Sequence, residues 1–116
     1  MERGFPTTLP TPAEHPLTAA QLAVLRALLE EQREFRIDQL TQLHRAVPTD
    51  PLSSRDPEIE RSLSTGALAA LRDVQSALWR IDEGSYGRCT GCGASIPFER
   101  LEILPQTARC LRCQRF

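Results

Sequence analysis

Residues 84–116 read GSYGRCTGCGASIPFERLEILPQTARCLRCQRF, and all four cysteines of the 116-residue chain lie there as two Cys-x-x-Cys pairs. Two residues between ligands let one turn of chain aim both sulfurs at one ion, and four thiolates at about 2.3 Å complete a tetrahedral zinc shell. Cys89, Cys92, Cys110 and Cys113 are therefore the candidate ligands of a structural Zn2+. A closed four-sulfur shell leaves no position for a catalytic water. Two disulfides or a redox-active dithiol are the other readings of the same spacing. Gly91 and Gly93 permit the tight turn, left-handed backbone included, that such a knuckle needs. The segment's own apolar residues are few (Tyr86, Ile96, Phe98, Leu101, Ile103, Leu104), so metal binding is expected to supply much of its folding free energy. Pro97 is placed to begin a short helix over PFERLEIL, which Pro105 ends.

N-terminal to this segment, proline maps the chain. Four of nine prolines precede residue 17, three more stand at Pro48, Pro51 and Pro57, and none lies in 17–47 or 58–96. Proline breaks helix interiors, so the two gaps are where long helices can form. Residues 1–16 are expected to be an extended, mobile tail. In the first gap Thr18 and Gln21 have capping-box spacing, with Leu17 and Leu22 at staple positions. Leu22, Leu25, Leu29, Leu40, Leu43 and Val47 recur at helical spacing, and the stripe lapses at Gln32, Arg33 and Arg36. Leu28 and Phe35 lie on a neighbouring face.

The second gap opens on Asp56-Pro57-Glu58: an N-cap, a proline at the first helical position and an acid in the first turn. Its stripe, Ile59, Leu63, Ala67, Leu71, Val74, Leu78, Ile81, steps mainly by four and three, as a coiled-coil seam does. Gly66 interrupts it, Gly84 is a C-terminal cap, and Trp79 is expected to pack under the cysteine segment. Helices over 18–46 and 57–83, each about 40 Å long, follow. The short connection makes them antiparallel neighbours. The expected fold is mostly α: an antiparallel two-helix coiled-coil hairpin (17–83, tip 47–56) with a C-terminal four-cysteine zinc finger (84–116). A compact bundle is the other arrangement, but little chain remains to wrap the helices, which favours a protruding rod.

Charge separates function classes. All fourteen basic residues are arginine and fifteen residues are acidic, a net charge of −1. Residues 84–116 hold five arginines against Glu99 and Glu102, and four thiolates with zinc reduce that excess to near +1. Residues 1–83 hold nine arginines and thirteen acids, a charge of −4. Nonspecific phosphate binding needs a basic stripe, so no direct sequence-specific DNA binding is expected. The absence of lysine and asparagine reads as codon bias of a GC-rich genome. No apolar run approaches the roughly 18 residues of a membrane span, and the N-terminus lacks a signal peptide's apolar core. A cytoplasmic protein with no membrane contact is expected. No nucleophile–base pair, phosphate-cradling loop or paired catalytic acid is present, so the chain does not read as an enzyme. In the tip, AVPTDPLSSRD, Asp50 and Asp56 are the only carboxylates. Turn chemistry and the N-cap explain both on residue type alone. His15 and His44 read as solvated.

Residues 77–114, ALWRIDEGSYGRCTGCGASIPFERLEILPQTARCLRCQ, closely resemble the DksA/TraR family of bacterial RNA-polymerase regulators. The matching features are Arg80-Ile81-Asp82-Glu83-Gly84, Tyr86-Gly87, Cys89-x2-Cys92-Gly93, Ile96-Pro97, Arg100-Leu101-Glu102, Pro105 and Cys110-x2-Cys113. The resemblance implies a hairpin that enters the polymerase secondary channel, a finger that docks on the outer rim, and acidic tip residues that alter initiation without touching DNA. It makes Asp50 and Asp56 candidate partner-binding residues. The family's tip motif Asp-x-x-Asp-x-Ala is not intact, since Ser53 stands three residues after Asp50 and Asp56 six after it. Positions that are basic in members responding to ppGpp align with Asp73, Leu104 and Gln114. The expectation is a monomeric regulator that binds RNA polymerase and modulates initiation without depending on ppGpp. A nucleic-acid-binding zinc protein, marked by a steep salt slope, and a thiol or zinc redox sensor, marked by release of the ion under mild oxidant, are the alternatives.

Overall fold

The computed structural model describes residues 16–45 and 56–114. The expectations for the tail, for Val47, for His15 and for Asp50 lie outside the described residues. Two helices of 27 residues each, α1 (Ala19–Arg45) and α2 (Pro57–Glu83), are followed by two short ones, α3 (Phe98–Ile103) and α4 (Leu111–Gln114). Among the described residues there is no strand, only an isolated antiparallel bridge between Arg88 and Ser95.

The helix ends form by the local chemistry their sequences carry. Gln21 N–H donates to Thr18 Oγ1 at 3.0 Å while Thr18 N–H donates to Gln21 Oε1 at 2.9 Å, a reciprocal capping box. Asp56 is extended and accepts from Glu58 N–H at 2.9 Å, and Pro57 opens α2. Gly84 closes α2 in the left-handed conformation, φ 84°. There the Ser85 and Tyr86 N–H groups both reach the Arg80 carbonyl. Pro97 caps α3 rather than entering it, because its ψ of 144° is extended.

α1 and α2 run antiparallel. Arg26 donates to Asp82 at 2.7 Å across their base, and Leu40–Arg45 faces Arg61–Leu68 near the other end. The ion pair is solvent-exposed and contributes little. The apolar cluster at the base matters more. Leu25 and Leu29 of α1, Val74, Ala77 and Leu78 of α2, and Tyr86, Cys89, Ile96 and Leu101 beyond them form one continuous core. Leu17, Leu22, Leu28, Ile81 and Phe98 are partly buried against it. Hairpin and cysteine segment thus share a core, and α3 rests on α1.

Two expectations need correction. The α2 stripe is buried at Ala67, Val74 and Leu78, but Ile59 and Leu63 are exposed. Toward the tip α1 offers long polar side chains at half-buried positions, Gln32, Arg33 and Arg36, so apolar contact concentrates at the base. Arg36 there bonds Gln39 at 2.9 Å. Trp79 does not pack under the finger: it is 60% exposed. One residue past Leu78 turns a helical side chain by about 100°, off the seam, and Tyr86 and Leu101 fill the space beneath the finger.

Gly66 stands in the α2 interior with nothing within 4 Å of an added Cβ and no positive φ. Gly66→Ala should therefore stabilise the protein by about 0.5–1 kcal/mol, the helix penalty of glycine relative to alanine. Urea unfolding of the two proteins side by side measures it.

Candidate metal centre

The two Cys-x-x-Cys turns are brought together by backbone. Cys89 N–H donates to Ala94 O at 2.7 Å and Gly93 N–H to Cys89 O at 2.8 Å, which closes the first knuckle. Thr90 N–H reaches Ala108 O at 2.8 Å and ties it to the chain entering the second. Gln114 N–H to Cys110 O, 2.9 Å, closes the α4 turn that carries Cys113. Arg100 of α3 donates to the Gln114 side chain, joining α3 to α4. Below them Tyr86 OH donates to Pro105 O at 2.9 Å, a buried bond between the start and the middle of the segment. Burial pushes the Tyr86 hydroxyl up to about 12, so it stays a donor at all ordinary pH values.

The glycines divide the work differently from expectation. Gly93 is left-handed, φ 80°, but Gly91 is not. At Gly91 the constraint is space, because a Cβ would stand 3.2 Å from Cys113 Sγ. Gly87, which sequence reasoning missed as a constrained position, has φ 89° and the Leu17 side chain 3.0 Å from where a Cβ would be. Arg80 was also missed. It is only 8% exposed and its Nη1 donates to Ser76 at 2.9 Å. The arginine in Arg-Ile-Asp-Glu-Gly gives no sign of burial by residue type.

The four sulfurs all lie within 4.8 Å of one another, and Cys92 Sγ stands 3.7 Å from Cys110 Sγ. A tetrahedron with bonds of about 2.3 Å has edges of about 3.8 Å. No cysteine forms a disulfide, and 3.7 Å is far beyond the roughly 2.05 Å of an S–S bond. The charge state agrees with a cation site. Burial opposes the Cys89 thiolate, but N–H groups of Cys110, Cys92 and Gly91 outweigh it and bring the thiol down to about 6. Hydrogen bonding to the other three sulfurs pushes Cys113 up to about 12. Four thiolates this close cannot all ionise without a cation, and the donor set fits a structural Zn2+.

Residues 84–116 match the prokaryotic dksA/traR C4-type zinc finger. Across 89% of this chain and 75% of its own length, the RNA polymerase-binding transcription factor DksA of Escherichia coli is 27% identical. The structure of transcription factor DksA2 from Pseudomonas aeruginosa superposes with a TM-score of 0.62, 27% identity and 84% and 82% coverage of the two chains. The chain belongs to the DksA/TraR family. An uncharacterized protein of Aquifex aeolicus is 41% identical over 56 residues, 48% of this chain, and the chain spans 39% of that relative's length. The matched segment contributes Tyr86, Cys89, Ile96 and Leu101 to the core that it shares with the helical hairpin.

Of the other singled-out residues, Asp56 sits at the α2 N-cap, where its carboxylate already accepts a backbone bond. Asp73, Leu104 and Gln114, far apart in sequence, converge on one hollow of about 310 Å3 between α2 and the finger, with Arg109 on its wall. No helix is long and apolar enough to cross a membrane among the described residues.

Metal-ligand thiols must be deprotonated, so zinc binding releases protons and weakens as pH falls. Cys113, near 12, holds a proton that the ion must displace throughout the neutral range. Cys89, near 6, takes up a further proton only in acid. Zinc affinity, followed by competition with a chromophoric chelator, should therefore fall with pH and fall more steeply below about pH 6. Gly91→Ala should weaken the same affinity at neutral pH by crowding Cys113, with the helical circular dichroism retained.

Proposed function

We propose that this protein is a DksA-type transcription regulator that binds RNA polymerase through the secondary channel, hairpin inward and finger at the rim, and modulates initiation without depending on ppGpp. The observation that carries the reading is the shared core: the finger is not tethered to the hairpin but packed into its base. A finger seated on a partner surface therefore aims a rod of about 40 Å in one direction. Cys89, Cys92, Cys110 and Cys113 hold the zinc that keeps this base folded, and the functional division falls at a hairpin of 17–83 and a finger of 84–116. The protein acts as a cytoplasmic monomer on the polymerase and performs no chemistry of its own.

Two further observations support the finer parts. The hollow that gathers Asp73, Leu104 and Gln114 presents a carboxylate, a leucine and an amide, with Arg109 the one cation among its lining residues, where a polyphosphate would need several. The acidic hairpin, with −4 over residues 1–83, repels nucleic acid and suits a protein channel that admits it tip first. Asp50 and Asp56 are the tip groups proposed to act near the polymerase centre.

Co-migration of the purified protein with its host's core polymerase on gel filtration is the first expected result. The complex should dissociate when the secondary channel is blocked by another protein. In transcription from a responsive promoter, Asp50→Ala with Asp56→Ala should leave binding intact and weaken the effect, and added ppGpp should change nothing. Asp56→Ala also removes an N-cap, at a cost of about 1 kcal/mol, so Asp50→Ala alone is the cleaner probe. No co-migration, or binding that survives channel blockage, overturns the reading.

A further inference from the structure

A second heptad stripe runs along α2 beside the buried one: Arg61, Thr65, Leu68, Arg72, Gln75, Trp79, in steps of four and three. All six are exposed, Leu68 by 40% and Trp79 by 60%. This is the spacing at which a helix presents knobs to another helix, but α1 lies against the other stripe. At its tip-proximal end the stripe borders a groove of about 690 Å3 between the two helices, with Leu40 on one wall, Leu68 on the other, and His44, Arg45 and Arg61 around it. Among the described residues neither Arg61 nor Arg72 has an ion pair, whereas Arg26 at the base is engaged with Asp82.

The opposite flank of the hairpin has the contrary character. On α1 the residues Val24, Leu28, Glu31, Phe35 and Asp38 repeat with the same steps, apolar with two carboxylates, and among the described residues the one cation against them is the Arg36 guanidinium stacked 5.3 Å over the Phe35 ring. Between Arg61 and Trp79 the α2 stripe has two arginines, a tryptophan and no carboxylate; the same steps reach Glu58 and Asp82 only at the helix ends, and Asp82 is held by Arg26. Tryptophan and arginine are the residues that most often dominate binding energy at protein interfaces, and here they stand exposed at helical register on a chain of net negative charge.

We propose that the hairpin meets RNA polymerase through this α2 face, which takes an acidic amphipathic helix of the enzyme as a third helix over the Leu40–Leu68 groove. The inference rests on the channel-binding reading and adds to it which of the two flanks carries the contact and what chemistry recognises it. Leu68 and Trp79 supply the apolar anchors, and Arg61 and Arg72 pair with carboxylates flanking the partner's apolar stripe. Opposite charges across an interface set orientation as well as affinity, so this face also fixes how the rod is turned about its long axis.

The test uses the full chain and its host's core polymerase. A photo-crosslinking amino acid at position 68 or 72 should capture a polymerase segment rich in aspartate and glutamate, and one at 35 or 38 should not. Arg61→Glu with Arg72→Glu should weaken polymerase binding by about tenfold or more, as charge reversal at a complementary interface does. Glu31→Arg with Asp38→Arg should change it by less than about twofold. All four side chains are exposed, and matched circular dichroism and zinc content check that the variants fold. If wild-type protein binds, and the α2 variant binds equally or crosslinks arise from 35 and 38, the face assignment is overturned while the proposed function stands. If wild-type protein does not bind at all, both fail. A concentration-dependent dimer in sedimentation that the α2 variant dissolves would give the face to a second copy and overturn the assignment.

Discussion

Cys89 belongs to two structures at once. Its sulfur is one of the four that fit a zinc ion, and the residue is buried in the same cluster as Leu25, Leu29, Val74 and Leu101. The metal site and the base of the hairpin therefore fold as one unit. Metal binding that orders the knuckles also completes the apolar surface on which α1 and α2 close. The finger contributes Tyr86, Ile96 and Leu101 to that core, which would not hold a segment of its size alone. The buried bond from Tyr86 to Pro105 and the tight approach of Leu17 to Gly87 show how little slack the junction has.

Away from the base the hairpin is held differently. α2 is strongly amphipathic and α1 only weakly so. Gln32, Arg33 and Arg36 sit half-buried where a coiled coil would carry leucines. Long polar side chains contribute their stems to packing and keep their heads in water, which stabilises less per residue than full apolar burial. Among the described residues the buried apolar cluster therefore lies at the finger end of the rod.

Electrostatic character follows the same division. The carboxylates are concentrated in the hairpin, and the arginine excess lies in the finger. Among the described residues Asp82 is tied to Arg26, while Arg61 and Arg72 have no such partner. Unpaired arginines thus stand along one stripe of α2 although the chain as a whole is almost neutral. Near-neutrality offers little basis for phosphate attraction, and the uneven distribution leaves charge concentrated in separate parts of the molecule.

Much of this was legible in the sequence because it is local. The capping box at Thr18, the Asp56-Pro57 start, the Gly84 cap and the Cys-x-x-Cys spacing each depend on residues a few positions apart, and each appears as its chemistry dictates. The heptad steps of α2 likewise announced a seam. The outer ends of that seam, the outward turn of Trp79 and the burial of Arg80 were not legible, because each depends on what another segment brings to the same place. Trp79 faces water because Tyr86 and Leu101 occupy the space beneath the finger. Gly91 matters through the sulfur of Cys113, twenty-two positions on. The helices, their ends and the metal were written in local spacing; the shared core, the convergence of Asp73 with Leu104 and Gln114, and the choice of exposed face were decided only by tertiary packing, since volume already filled by one segment excludes every other.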